Sequence, residues 1–252
     1  MGMLDGKVAI VTGGGSGIGR AVAIAFAREG ARVAFCGRRK DAGQETLEMI
    51  RSVGGEAMFV QADVAQSADV QRLISATVAR YGRLDAAFNN AGVGEVSPKF
   101  AEVSEAEYDR HFDINVRGTF LCMKYELRQM LAQGGGGAII NNCSVQSHIA
   151  IGTSAHYTAS KHAILGYTRA AAVDHAADNI RVNAISPGIV MTPMMAGFDP
   201  STPEVAPLMA RIPARRVATP EEVAGTVVFL ASDRAAYMFG AAIVVDGGWL
   251  AH

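Results

Sequence analysis

The chain predicts an α/β fold: a single Rossmann-like, doubly wound parallel sheet of about seven strands with helices on both faces. Three observations predict it. Apolar runs of strand length alternate with longer helical stretches along the whole sequence. Half of the 252 residues are hydrophobic, enough to bury a full core as one domain over residues 1–252. A glycine-rich turn follows the first apolar run, where an open α/β sheet places its ligand.

The elements follow in order. Strands are expected near 7–12, 31–36, 56–61, 84–88, 138–143, 180–186 and 241–246. Helices are expected near 17–29, 41–53, 67–81, 104–132, 155–177 and 220–231. Glycines 134–137 precede a strand rather than a helix and read as a flexible loop. Residues 187–219 break the rhythm. They contain six prolines, together with Met191, Met194, Met195, Phe198 and Met209, and are long for a connection.

The first turn reads Gly13-Gly14-Gly15-Ser16-Gly17-Ile18-Gly19. A side chain there would block backbone approach to a phosphate, and glycine also tolerates unusual φ/ψ. The helix from Gly17 points its free N–H groups and positive dipole end at the turn, an anion site. The spacing is GxxxGxG, not the GxGxxG of the usual dinucleotide fingerprint. A plain glycine-rich turn remains the alternative for this motif taken alone.

The second strand ends Cys36-Gly37-Arg38-Arg39-Lys40, without the carboxylate that would accept from a ribose 2′-OH. Guanidinium groups suit a 2′-phosphate bidentately. Arg38 and Arg39 therefore favour NADP over NAD, the alternative being a solvated basic turn. Asp41 reads as the N-cap of the next helix.

Tyr157 and Lys161 stand at i and i+4, on one face of a helix. A phenol has a pKa of roughly 10 in water and is a poor base at neutral pH. A nearby ammonium favours its ionised form. Such a pair can take a proton from an alcohol as hydride leaves, or return one to a carbonyl. Ser144, at the end of the strand near 138–143, is the candidate second partner for the carbonyl oxygen.

In order along the chain stand Thr12-Gly13-Gly14-Gly15-Ser16-Gly17-Ile18-Gly19, Asp63-Val64, Asn89-Asn90-Ala91-Gly92, Asn115, Ser144, Tyr157 with Lys161, and Pro187-Gly188. This series resembles the short-chain dehydrogenase/reductases of the small single-domain type, over nearly the whole length. The resemblance implies a catalytic four of Asn115, Ser144, Tyr157 and Lys161. Asn115 would hold a water linking Lys161 to solvent, and Lys161 would also grip the nicotinamide ribose. Asp63 and Val64 would sit against the adenine. Asn89, Ala91 and Gly92 would line the cleft, and Pro187, Gly188, Val190 and Thr192 would meet the nicotinamide. The segment 187–219 resembles the family's substrate loop, and its Met and Phe content suggests an apolar pocket, the alternative being that these side chains only pack the loop onto the domain. A homotetramer is also implied. Three departures stand out. Cys143 precedes Ser144 where the family often has Ser. Ser147 replaces a common Gly and is expected to reshape the substrate wall. Ser16 stands where NADP-preferring members often carry a basic residue, which leaves NAD open.

A net charge of −1 gives no reason to expect nucleic acid or an anionic membrane as partner. No apolar run has membrane-spanning length and residues 1–7 lack a signal peptide, so a cytoplasmic protein is expected. Cys36, Cys122 and Cys143 lack metal spacing and read as reduced thiols. His111, His162 and His175 show no metal-ligand pattern, and no metal is expected. His156 reads as a surface or interface residue. His148 is expected either to touch substrate or to be solvated. Trp249 is expected at a subunit contact. The small-residue face of the helix near 155–177 (Ala155, Ala159, Ala163, Gly166, Ala170) admits a second helix. The expected activity is hydride transfer between a nicotinamide and a small-molecule secondary alcohol or ketone. The alternatives are a sugar dehydrogenase, a 3-oxoacyl-carrier-protein reductase docking on Arg211, Arg215 and Arg216, or a non-catalytic nucleotide sensor.

Overall fold

In the computed structural model, the described residues are 2–94, 96–199, 202 and 205–251. Seven strands form one parallel sheet in the order β3-β2-β1-β4-β5-β6-β7. They are β1 (Val8–Thr12), β2 (Arg32–Gly37), β3 (Ala57–Gln61), β4 (Ala86–Asn89), β5 (Gly137–Asn142), β6 (Ile180–Pro187) and β7 (Ala242–Val245). The order reverses between β1 and β4, which pair with Ala9 opposite Ala86 and Val11 opposite Phe88. Crossovers leave on opposite sides there, so a crevice opens beyond the strand ends.

Alternation along β1 builds both halves of the core. Ala9 and Val11 face α1 (Gly17–Arg28), α2 (Lys40–Ser52) and α8 (Pro220–Ala231), packing with Val22, Phe26, Ile50, Val223 and Val227. Val8 and Ile10 face α3 (Ser67–Tyr81), α5 (Gly118–Gln133) and α6 (Ala155–His175), packing with Leu73, Leu121, Met130 and Ala172. Burying a side chain the size of Phe26 contributes about 1.5–3 kcal/mol. Strands covered on both faces need the near-continuous apolar runs seen in the sequence.

Three local readings are corrected. The expected helix 104–132 is α4 (Glu105–His111), a π turn (Phe112–Arg117) and α5. A π turn adds a residue to the helical register, and this one contains Asn115, whose side chain is bonded to Val93. Helix α2 starts at Lys40 with Arg39 as its N-cap, so Asp41 lies in the first turn, where it complements the dipole. Of the glycines read as a loop, Gly134, Gly135 and Gly136 take positive φ, and Gly137 already opens β5.

After β6 the chain leaves the sheet. It forms a short 3-10 turn (Pro193–Met195) and the brief α7 (Ala206–Ala210). It returns at Ala218, which forms a parallel bridge with Val190.

Candidate active site

The crevice at the sheet's switch point is a cavity of about 1040 Å³. Its floor is the glycine turn. Gly13 has φ +66° and Gly17 φ +53°, values that favour glycine. A Cβ on Gly14 would lie 2.8 Å from the Phe35 ring, so the turn packs directly on β2. Ser16 caps α1 without a side-chain bond, and no acidic residue occupies the first turn. The first amides of α1 are therefore free to meet an anion. Outside the turn, Arg20 donates to the Gly15 carbonyl at 2.7 Å and pairs with Glu45, whose carboxyl it holds below the usual range. A bare glycine loop is braced from behind, and its open side fits a dinucleotide pyrophosphate.

Gly13, Ser16, Gly17, Ile18, Arg38, Arg39, Asp63, Val64, Ala91, Gly92, Pro187, Gly188, Val190 and Thr192 all line the cavity. Arg39 reaches toward Ser16, with Nη2 at 3.4 Å from Oγ. That gathers a guanidinium and a hydroxyl at the end of β2. Thr192 lies over Gly17, where an added Cβ would meet its Cγ2 at 3.1 Å.

Ser144, Tyr157 and Lys161 line the same cavity. Ser144 ends the segment after β5 and caps the turn Val145–Ser147, its Oγ accepting from the Gln146 amide at 3.1 Å. Lys161 donates from Nζ to the Asn142 carbonyl at 2.6 Å, and this Nζ lies 5.5 Å from the centroid of the Tyr157 ring. An added Cβ on Gly94 would be 2.9 Å from that ring. Glycine therefore lets the backbone cross the phenol closely. Burial pushes the Cys36 thiol up to about 12 and raises Cys143 as well, so neither lining cysteine supplies a thiolate.

Several expected residues stand elsewhere. Asn89 is not on the cavity wall; it turns under the sheet toward Glu126 and Asn141, and its neighbour Asn90 lines the cleft instead. Gly19 packs helix on turn, since a Cβ would lie 2.3 Å from the Gly13 carbonyl oxygen. The Asn115 side chain donates to the Val93 carbonyl and Ser160 Oγ and accepts from the Val93 amide, so it fixes the cleft's edge. Ser147 is buried and donates to the Lys161 carbonyl at 2.9 Å, so it anchors α6 rather than shaping a substrate wall. His148 bonds Ser186 and is absent from the cavity wall. Trp249 is buried in its own chain against Val145 and Ile212, under the Arg211 guanidinium, and lines the cavity. It is not a free surface for a second subunit.

Sequence reasoning also missed wall residues. Val93, Gly94, Gln146, Ile151 and Leu208 line the cavity together with Met194 and Trp249, Gly94 lying against Tyr157 and Met194. Their signal was position alone, directly after a strand end or inside the loop near 187–219. Among the described residues no cluster of His, Cys, Asp or Glu can hold a metal, and no helix is long and apolar enough to cross a membrane.

Residues 13–250 match a family model described as enoyl-(acyl carrier protein) reductase. The chain is 40% identical over 255 residues to a 2,5-dichloro-2,5-cyclohexadiene-1,4-diol dehydrogenase of Sphingobium indicum, covering 98% of each. It is 38% identical over 246 residues to a cyclohexanol dehydrogenase of an Acinetobacter species, covering 97% of this chain and 95% of the other. A crystal structure from Agrobacterium tumefaciens with bound NADP, assigned provisionally as a 2-deoxy-d-gluconate 3-dehydrogenase, superposes with TM-score 0.91 at 34% identity. It covers 99% of this chain and 98% of that one. On this fold, these motifs and these likenesses, the chain belongs to the short-chain dehydrogenase/reductase family of nicotinamide-dependent oxidoreductases.

Proposed function

We propose that the protein moves a hydride between NADP(H) and a secondary alcohol or its ketone on a small alicyclic ring, with Tyr157 as general acid and base. The observation that carries this is that Ser144, Tyr157 and Lys161 line the same cavity as the glycine turn. The nicotinamide, when bound, supplies or accepts the hydride. The chain's own residues do the rest. Ser144 Oγ and the Tyr157 hydroxyl hold the substrate oxygen, and charge developing there is stabilised by these donors. Tyr157 passes the proton to or from that oxygen. Lys161, fixed by the Asn142 carbonyl, stabilises the phenolate and reaches the ribose. Asn115 acts by holding Val93 at the cleft's edge.

Arg39 beside Ser16, with no carboxylate at the end of β2, supports NADP over NAD. Val145, Ile151, Leu208, Met194 and Trp249 give the cavity an apolar lining that suits a carbon ring. Two relatives are named for six-membered ring alcohols, which supports the same class. The loop near 187–219 supplies part of that lining and is the substrate loop of the single domain 1–252. A carrier-protein substrate is disfavoured. Arg216 is paired with Glu222, Arg211 lies over Trp249, and Arg215 donates to the Ala210 carbonyl. The intact Ser144, Tyr157 and Lys161 set disfavours a mere nucleotide sensor. Buried, unpaired thiols at Cys36, Cys122 and Cys143 suit a cytoplasmic setting. Ala159, Gly166 and Ala170 lie exposed on α6 beside Tyr167 and Val173, a face that suits a homotetramer contact.

The test is a substrate panel followed by nicotinamide absorbance, with NADPH and NADH. Cyclohexanones and cyclic diones are expected to turn over, with linear 3-oxoacyl thioesters and sugars far slower. Turnover confined to thioesters or sugars overturns the ring assignment. Cofactor binding with no turnover of any carbonyl overturns the enzyme assignment.

A further inference from the structure

Beneath the cleft, on the side away from the glycine turn, lies a polar cluster that hydride transfer does not use. Glu126 of α5 is 1% exposed, Asn89 at the end of β4 is 4% exposed, and Asn141 of β5 and Thr168 of α6 are fully buried. Asn89 Nδ2 donates to Glu126 Oε2 at 2.9 Å and to Asn141 Oδ1 at 3.1 Å. Asn141 Nδ2 donates to Thr168 Oγ1 and to the Met123 sulfur. The Thr168 hydroxyl donates to the Ile164 carbonyl. Every donor in the cluster is then committed. Two buried acceptors are left over, and they belong to two side chains already bonded to each other: Asn89 Oδ1 and Glu126 Oε1.

Buried polar atoms are almost always satisfied, and a buried unpaired carboxylate is costly. One added hydrogen resolves both. A proton on Glu126 Oε1 makes it a donor toward Asn89 Oδ1, while Oε2 goes on accepting from Nδ2. Exchanging the oxygen and nitrogen of Asn89 would instead set its oxygen against two acceptors. We propose that Glu126 is a neutral carboxylic acid that pairs through both its oxygens with the Asn89 carboxamide, and thereby positions the end of β4 for the cofactor. The link to the cleft is short. After Asn89, the amides of Asn90 and Ala91 both donate to Thr12 Oγ1, and Asn90 Nδ2 donates to the Thr12 carbonyl beside Gly13. Asn90, Ala91 and Gly92 then line the cavity.

The surroundings agree. The ionisable groups that act with Glu126 are the Cys122 thiol on its own helix and the Cys36 thiol on β2, both raised by burial and neutral. β4, β5 and α6 present only amides and a hydroxyl to the cluster. No cation among the described residues compensates a charge there, and burial pushes the Glu126 carboxyl up to about 7. The sign follows. A folded value above the ordinary 4.5 means that the group's contribution to stability is complete below pH 4.5 and is lost as pH rises to about 7.

The inference rests on the cleft being the cofactor's, but two of its tests need no cofactor. Glu126→Gln supplies an N–H where the acid has its O–H and keeps the acceptor. In the infrared at pH 6, the wild type should show a protonated-carboxyl stretch that E126Q lacks. The wild-type melting temperature should fall between pH 4.5 and 7 relative to that of E126Q. NADPH titrated by fluorescence should bind the wild type about fivefold more weakly above pH 8 than at pH 6, the worth of one neutral hydrogen bond, and bind E126Q with no comparable change. Glu126→Leu should raise cofactor KM by a similar factor with kcat kept at saturation. If E126L does not fold, the infrared and E126Q results decide. Absence of the carboxyl band, or matching pH profiles for wild type and E126Q, overturns the proposal. A band and a melting shift without any effect on NADPH binding would keep the acid pair and overturn its role at the cleft.

Discussion

Arg39→Asp tests the 2′-phosphate reading most directly. Arg39 is exposed, and its guanidinium reaches toward the Ser16 hydroxyl at the end of β2. Two unit charges 4 Å apart interact by about 1 kcal/mol in bulk water and about 4 kcal/mol near a protein surface at an effective dielectric of about 20. An exposed site lies toward the lower figure, and a phosphate monoester carries about −1.5 to −2 charges. Removing the cation then weakens NADPH by about tenfold, and putting an anion in its place repels by a similar factor. The sum is about a hundredfold loss in kcat/KM for NADPH. NADH has a hydroxyl at that position, and an aspartate can accept from it, so kcat/KM for NADH should hold or rise. Initial rates with both cofactors and one ketone measure this. Raised salt should shrink the wild-type preference, because exposed charges are screened. An equal fall with both cofactors, or no change with either, refutes the reasoning.

Tyr157→Phe should lower kcat by about 10²–10⁴, the usual worth of a positioned general acid or base, while NADPH affinity by fluorescence stays near the wild-type value; equal losses in both would reassign the phenol to binding. Gly19→Ala drives a methyl to 2.3 Å from the Gly13 carbonyl oxygen, so it should cost about 1–3 kcal/mol of stability, read by denaturant titration, and weaken cofactor binding. A Cβ added at Gly166 meets nothing within 4 Å inside its own chain, so Gly166→Arg should not destabilise the fold but should lower the mass seen by sedimentation; a constant mass removes this face from the assembly.

The sheet was legible because strands buried on both faces must be apolar throughout, and their turns announce themselves by glycine. Tyr157, Lys161 and Ser144 were legible for a related reason, since their spacing and order follow from one helix and one strand end. What escaped depends on backbone bonding and side-chain direction. A single helix pattern fits 104–132, and nothing in that pattern marks the π turn at Phe112–Arg117, which is a matter of backbone bonding. In Asn89-Asn90 two identical residues diverge, because Asn89 ends β4 pointing toward Glu126 while Asn90, past the strand, is held on Thr12 and lines the cleft. Ser147 and Trp249 look like wall and interface in sequence, yet each finds its contact far along the chain, at the Lys161 carbonyl and under Arg211. Glu126 did leave a trace. Cys122, Glu126 and Met130 recur every four residues on the buried face of α5, and a lone carboxyl in an apolar stripe signals a polar partner below it.

The segment between Val190 and Ala218 begins and ends at one parallel bridge, with the Met191 amide donating to Ala218 and the Ala218 amide to Ile189, and it is docked beyond that bridge by the Ala214 amide on the Gly247 carbonyl and by Ile212 against Trp249 and Val145. Its two ends therefore meet at a narrow neck, and no strand of the sheet passes through it. Grafting the equivalent stretch of a relative between Val190 and Ala218 should therefore redraw the mouth of the cleft, provided that the residues at 192, 212 and 214 keep their partners Gly17, Trp249 and Gly247. Any change of selectivity made in this segment has to respect those three anchors on the fixed part of the chain.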